Sequence, residues 1–149
     1  MSESKFNKPV KTPWHLWVIG IVGCLWNAMG AMDYVMTQSR NEDYMAAFTP
    51  EQLEFFYGFP AWVDAAWAIA VWGGVVGAIL LLLRMRIAVW VFLVSFLAMA
   101  ATAIHNYGLS NGMELMGDTF SLVFTAIIFL VGLGLYLYSK AMRSKGVLK

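Results

Sequence analysis

The chain is poor in charge and in cysteine, and both shortages exclude classes of protein. Only 13% of its 149 residues are charged, whereas an ordinary soluble domain carries about 25%. This composition excludes a soluble enzyme, a disordered tail and a nucleic-acid-binding protein. The single cysteine, Cys24, allows neither an intramolecular disulfide nor a metal site built from cysteines.

Signals for cofactors and metals are also lacking. The chain has no glycine-rich phosphate loop and no Cys-x-x-Cys motif. Its two histidines, His15 and His105, are predicted at opposite membrane faces, roughly 30 Å apart, so they cannot ligate one haem together. No two potential ligands show a metal-binding spacing. We therefore expect a protein that is not an enzyme and has neither cofactor nor metal.

Long apolar runs are what the chain does contain. They cover residues 14–33, 61–83, 87–105 and 119–138, and each can cross about 30 Å of hydrocarbon as a helix. Backbone groups in hydrocarbon must satisfy their own hydrogen bonds, which favours helices. The sequence predicts a single all-α domain over residues 1–149, an antiparallel four-helix transmembrane bundle whose first partner is the lipid bilayer.

Charge is distributed unequally between the two ends of this predicted bundle. All but one of the acidic residues fall at or near one face, and Arg40 is the only basic residue there. Positively charged loops stay in the cytoplasm, so we expect a multi-pass protein of the cell inner membrane with both termini cytoplasmic. The cytoplasmic face would then carry nine of the ten basic residues: Lys5, Lys8, Lys11, Arg84, Arg86, Lys140, Arg143, Lys145 and Lys149.

The longest connection, residues 34–60, is predicted to form an outer cap of short interfacial helices. Thr49, Pro50 and Gln52 have the spacing of a helix start with a capping box. A connection this long usually has a structure or a function of its own. Two interpretations are open: the segment is a surface anchor, or it is a lid over an outward-facing pocket.

Each predicted span carries a stripe of small or weakly polar residues, which suits either close helix packing or a polar-lined cavity. Asn27 lies on such a stripe, and its amide needs a partner, which we expect on another helix or in bound water or solute. Asp33, Asp64 and His105 lie at one membrane depth. If they converge, they could bind a divalent cation or relay a proton; otherwise they are separate interfacial residues. The candidate ligand-binding residues are Asn27, Asp33, Tyr34, Asp64, Thr102 and His105.

Several short motifs give the chain a family likeness. Over about residues 14–138 it resembles a family of small bacterial inner-membrane proteins often labelled "sugar transporter", and its four-span layout is more distantly similar to DoxX-like membrane proteins. The motifs of the closer likeness are Trp26-Asn27-Ala28-Met29-Gly30, Phe48-Thr49-Pro50-Glu51-Gln52, Tyr57-Gly58-Phe59-Pro60-Ala61-Trp62 and Val71-Trp72-Gly73-Gly74. The resemblance implies transport of a sugar or another small solute and assigns no residue a role.

Two functions remain open at this stage. The first is a small-solute, sugar-like carrier or binder with an outward-facing pocket. Four helices are few for alternating access, which usually employs paired repeats, so this version is expected to need a homodimer. The second is a non-catalytic accessory or scaffold subunit of a larger complex, whose small-residue stripes and aromatic side chains dock other membrane subunits.

Overall fold

The computed structural model describes residues 9–149. Within this range it contains helices and no strand, and four helical stretches are long and apolar enough to cross a membrane. The predicted all-α fold with four long apolar helices is therefore confirmed. The transmembrane helices are α1 (Trp14–Gln38), α4 (Ala61–Leu82), α5 (Ala88–Ala103) with its π-helical extension Ile104–Leu109, and α7 (Thr119–Ser144).

Three short helices complete the chain: α2 (Glu42–Met45), α3 (Pro50–Tyr57) and α6 (Gly112–Met116). The predicted capping box of α3 is present, since Thr49 Oγ1 accepts from Gln52 N at 3.2 Å and Gln52 Oε1 accepts from Thr49 N at 3.0 Å. We name α2 and α3, with their connections over residues 39–60, the cap. The cap is shorter than the predicted 34–60 segment because α1 remains helical as far as Gln38.

The two ends of the bundle differ in charge. Every acidic residue in the described part of the chain lies at the end that carries the cap, α6 and the start of α7. The opposite end holds the turn between α4 and α5 and the last turns of α7, where the basic residues collect. We call these the acidic end and the basic end.

Helix α4 lies between α1 and α5, and small residues allow the close approach on both sides. A Cβ on Gly74 would lie 1.9 Å from Oδ1 of Asn27 on α1, and one on Gly77 would lie 2.8 Å from the Phe92 ring on α5. Ser95 Oγ on α5 donates to the Ala70 carbonyl of α4 at 2.5 Å. The small-residue stripes therefore serve helix packing.

The core of the bundle is concentrated at the basic end. The tail Gly146–Lys149 folds back onto the turn between α4 and α5, where Arg86 N donates to Lys149 O at 3.0 Å and Lys149 N donates to Arg84 O at 2.8 Å. Gly146 makes this reversal with a φ of 76°, which a glycine adopts without strain. The apolar cluster that the tail completes consists of Leu16, Ala78, Leu81, Ala88, Val89, Phe92, Leu135, Met142, Val147 and Leu148.

The acidic halves of α5 and α7 are packed more loosely. Residues 93–103 of α5 and residues 119–134 of α7 are all half-buried or exposed. Towards the basic end, a Cβ on Gly23 of α1 would lie 3.0 Å from Leu135 of α7. Nearer the acidic end the same two helices are bridged by large rings, Trp26 and Phe124, with centroids 6.0 Å apart.

Candidate solute site at the acidic end

Asn27 lies in the contact between α1 and α4. Its Nδ2 donates to the Gly23 carbonyl, one turn earlier on the same helix, at 2.7 Å. Its Oδ1 occupies the space that the missing side chain of Gly74 leaves open. The partner of Nδ2 therefore lies on the same helix and not on another one as expected, because a carbonyl four residues earlier is within reach of an asparagine side chain on a helix.

Thr102 is satisfied in the same local way. Its Oγ1 donates to the Met99 carbonyl of its own helix at 2.7 Å. This back-bonding is common for threonine in helices. The hydroxyl proton of Thr102 is therefore already used within α5.

The two carboxylates of the candidate site have different partners. Asp33 accepts from the Tyr44 hydroxyl of α2 at 2.6 Å, and Asp64 accepts from Gln38 Nε2 at the end of α1 at 3.0 Å. Burial, together with the hydrogen bond to Asp33 and its negative charge, raises the pKa of Tyr44 to about 12. One carboxylate therefore holds the cap against α1, and the other joins α4 to α1.

His105 has a third environment, in which aromatic rings predominate. Its ring centroid lies 5.5 Å from that of Trp62, 5.7 Å from that of Phe59 and 6.4 Å from that of Phe55. Its Nδ1 is 3.0 Å from Oδ1 of Asn106. An amide oxygen can only accept, so Nδ1 carries the proton in this contact.

Tyr34 is connected to this histidine through aromatic rings. The Tyr34 ring meets Trp67 edge-to-face with centroids 5.0 Å apart, and Trp67 meets Phe59 at 6.1 Å. Phe59 in turn contacts His105. Edge-to-face pairs of this kind are favourable, so the aromatic contacts of the cap and of α4 bring two of the six candidate residues into one cluster.

The three ionisable candidates thus make separate contacts in the fold. No hydrogen bond within residues 9–149 joins Asp33, Asp64 and His105 to one another. The described part of the chain also contains no group of three His, Cys, Asp or Glu residues that could hold a metal ion. Each of the three side chains instead connects two elements at the acidic end.

The cap has further attachments. Gln52 Nε2 of α3 donates to the Leu115 carbonyl of α6 at 3.3 Å, and the Arg40 guanidinium lies 4.3 Å from the centroid of the Tyr57 ring. Two shallow grooves of the described residues lie elsewhere, on the lateral apolar surface of the helices. One, of about 320 Å³, lies between α1 and α4, and another, of about 250 Å³, between α4 and α5.

A spacing that also occurs around catalytic serines, Gly108-x-Ser110-x-Gly112, begins in the π-helical extension of α5 and ends at the first residue of α6. The required context is a strand followed by a sharp turn into a helix, and here the preceding element is a helix. Ser110 Oγ donates to the carbonyls of His105 and Asn106, at 2.8 and 3.1 Å. This serine therefore satisfies carbonyls at a helix end.

The sequence did not indicate the contacts of two residues at the acidic end. Gln38 was placed in the cap, although α1 continues through it and presents it to Asp64. Tyr44 was placed in the cap, but its partner Asp33 is eleven positions earlier, with a chain reversal between them. The helical period, continued beyond Asp33, could have indicated Gln38; no local signal indicates the Tyr44 contact.

No family model, no curated protein and no solved structure matches this chain.

Proposed function

We propose that this membrane protein is a non-catalytic accessory subunit that acts through contacts with other membrane chains. The observation that carries the proposal is the use of polar groups within the fold. Asn27, Thr102 and the two carboxylates of the candidate site all have hydrogen-bond partners inside the chain. Buried side-chain polar atoms without a partner are absent from residues 9–149.

A solute site needs the opposite arrangement. Binding pockets are concave and present a few convergent polar groups that the ligand satisfies. Here Asn27 Nδ2 and the Thr102 hydroxyl already donate to carbonyls of their own helices, so a solute that accepts from them would have to displace these bonds, and each buried group left unpaired would cost about 1–3 kcal/mol. The polar groups of the acidic end are better suited to holding helices and cap together, which leaves the lateral helix faces for partner chains.

The proposal also includes an orientation of the protein in the membrane. With seven of the eight basic residues of the described part at one end, the positive-inside rule favours a cytoplasmic basic end and an outer acidic end with the cap. An inner-membrane location agrees with the resemblance of residues 14–138 to small bacterial inner-membrane proteins.

The experiment is photo-crosslinking in native membranes, with one photoreactive residue on an exposed position of each transmembrane helix. Leu25 on α1, Val76 on α4, Leu97 on α5 and Leu130 on α7 are 64%, 46%, 58% and 68% exposed. Ser144, exposed at the basic end, is the control for contacts outside the hydrocarbon. We expect crosslinks from at least one face to one defined membrane protein, which also copurifies in mild detergent.

Failure of all four positions to crosslink a protein, with elution of the chain by itself, would overturn the accessory function. Crosslinks between two copies of this chain would identify a homodimer. That result contradicts a subunit of a mixed complex and favours the solute binder described next.

One observation favours a second candidate, a binder of small sugar-like solutes at the acidic end. Nε2 of His105 has no hydrogen-bond partner within residues 9–149, and Trp62 beside it is 50% exposed. An aromatic wall with one free polar nitrogen can orient a small amphipathic ligand. The labelled family that the chain resembles indicates the same class of solute.

A binding measurement separates the two candidates. Intrinsic tryptophan fluorescence of the purified protein is titrated with a panel of mono- and disaccharides, using His105→Gln and, as a matched control, His15→Gln. The binder predicts a saturable change that only His105→Gln removes. A flat response to the whole panel contradicts the binder and leaves the accessory function as the conclusion.

A further inference from the structure

The shallow groove between α4 and α5 runs towards the basic end of the bundle. Its walls are Gly73, Ile87, Trp90, Val91 and Val94, and its volume is about 250 Å³. Gly73 lies at the middle of α4, whereas Ile87 and Trp90 lie where α5 begins. The groove is therefore an apolar channel along the helix surface from the centre of the bundle to its basic end.

A positive charge lies beside the basic end of this groove. The Arg143 guanidinium of α7 is 5.9 Å from the centroid of the Trp90 ring. Trp90 itself is 60% exposed, so the arginine and the indole together form part of the surface. A tryptophan at such a position is typical of the interface between hydrocarbon and headgroups.

The charge of Arg143 is not neutralised by the described part of the chain, where all acidic residues lie at the other end. The other two arginines at this end, in contrast, donate hydrogen bonds to groups of the chain itself. Arg84 donates to Thr12 Oγ1 at 3.0 Å, and Arg86 Nε donates to the Leu148 carbonyl at 3.4 Å. Arg143 makes no side-chain hydrogen bond within residues 9–149, so its planar donor set is available to an external anion.

We propose that the groove and Arg143 bind one anionic phospholipid. The acyl chain lies along Val91 and Val94, the glycerol region lies at Trp90, and the phosphate accepts hydrogen bonds from the Arg143 guanidinium. Guanidinium and phosphate form charge-assisted, often bidentate hydrogen bonds. Basic surfaces at the membrane interface attract anionic lipids.

The second groove of the bundle provides an internal comparison. It lies between α1 and α4, has a similar volume of about 320 Å³, and is lined by apolar residues only. No basic side chain of the described residues contacts it in the way that Arg143 contacts Trp90. We therefore expect the groove between α1 and α4 to bind acyl chains without selectivity for the lipid headgroup.

The test is thermal unfolding of the purified full chain in a neutral detergent. Phosphatidylglycerol or phosphatidylcholine with identical acyl chains is added at equal concentration. A ligand that binds only the folded state raises Tm. We expect phosphatidylglycerol to raise Tm by roughly 2–4 °C more than phosphatidylcholine, the shift typical of one charged contact at this chain length.

Two pairs of variants locate the effect. Arg143→Gln should remove most of the difference between the two lipids, whereas Lys145→Gln, at the same end and outside the groove, should retain it. Val94→Phe, which fills the groove, should also reduce the lipid effect, whereas Val35→Phe in the groove between α1 and α4 should not. Because each Tm shift is measured within one variant, a general loss of stability does not imitate the result.

Three results would overturn the proposal. Equal Tm shifts for both lipids in the wild-type protein would exclude headgroup selectivity. Equal losses in Arg143→Gln and Lys145→Gln would indicate nonspecific attraction to the basic end. If inorganic phosphate without lipid raised Tm as much as phosphatidylglycerol does, the groove would contribute nothing to binding.

Discussion

The basic half and the acidic half of this bundle are stabilised by different kinds of contact. In the basic half, the tail buries Leu148 completely and Val147 to 4% exposure, within one continuous apolar cluster. In the acidic half, single hydrogen bonds and aromatic edges connect elements that are mostly half-buried, although Val63 of α4 and Met45 of the cap are buried. One chain therefore combines a densely packed end with an end whose cap depends on a few side chains.

This difference indicates where each kind of function could be located. Densely packed interiors respond strongly to changes of volume. Surface elements with few buried contacts open locally at low free-energy cost. We therefore expect substitutions in the basic half to change global stability and those in the acidic half to change the attachment of the cap.

The largest effect is expected at the tail. Leu148→Ala should lower the free energy of unfolding by about 2–5 kcal/mol, because a fully buried leucine loses contacts and leaves a cavity. Leu137→Ala, which is 50% exposed on α7, is the control and should have a much smaller effect. Unfolding in mixed detergent micelles measures both. Equal losses in the two variants would show that the tail is not part of the core.

A smaller but still substantial effect is expected between α1 and α4. Gly74→Ala would place a Cβ 1.9 Å from Oδ1 of Asn27, and such overpacking costs about 1–3 kcal/mol. Gly134→Ala on α7 is the matched control, since no atom outside its own helix lies within 4 Å of the added Cβ. Thermal unfolding should show a loss only in Gly74→Ala; an unchanged Tm would contradict the close approach of these helices.

At the acidic end, Tyr44→Phe should loosen the cap from α1. The lost hydrogen bond to Asp33 would be worth about 1.5–3 kcal/mol if fully buried, and less here because solvent screens it. Faster limited proteolysis within residues 39–60, with an unchanged unfolding midpoint, is the expected result. A lowered midpoint without faster cleavage would place Tyr44 in the core.

The Tyr44 contact also gives a pH dependence. The pKa of this phenol is raised from 10.0 to about 12, so the folded state favours the protonated form. The stability from this contact is complete below pH 10 and is lost as the pH rises through about 12. The measurement is the phenolate absorbance of the wild-type protein minus that of Tyr44→Phe as the pH is raised. This difference should have its midpoint near pH 12. A midpoint near pH 10 would contradict the raised pKa.

The smallest effect is expected at His105. His105→Ala removes its contacts with three aromatic rings at centroid distances of 5.5, 5.7 and 6.4 Å, and each contact is weak because these distances lie in the longer part of the favourable range of about 4.5–7 Å and the histidine is only half-buried. Proteolysis of the cap should accelerate slightly, and less than in Tyr44→Phe. A larger acceleration than in Tyr44→Phe would make the aromatic contacts, and not the hydrogen bond, the main attachment of the cap.

Much of the fold could be predicted from the sequence, because long apolar runs and the capping box at Thr49 are local signals. The contacts at the acidic end could not be predicted from the sequence, because Asp33 and Tyr44 meet only after a chain reversal. The tail could not be predicted either. Val147 and Leu148 form a run too short to indicate burial, and the long-range hydrogen bonds of the tail join Leu148 and Lys149 to Arg84 and Arg86, more than 60 positions earlier.

The sequence places Asn27 on a stripe of small residues and makes Thr102 a candidate ligand-binding residue, but it does not indicate the hydrogen-bond partners of either side chain. A polar side chain in a helix can bond to a carbonyl of its own preceding turn. Periodicity cannot distinguish that geometry from one in which the group is available to a ligand. For Asn27, the missing side chain of Gly74 on another helix completes the environment.

The central claim is that the tail belongs to the core, whereas the cap is a surface element held by a few side chains. Hydrogen exchange of the purified protein in detergent tests it directly, because both segments lie outside the long apolar helices. Amides in residues 146–149 should exchange much more slowly than those in residues 42–57. Equal rates, or a cap that exchanges more slowly than the tail, would contradict the claim.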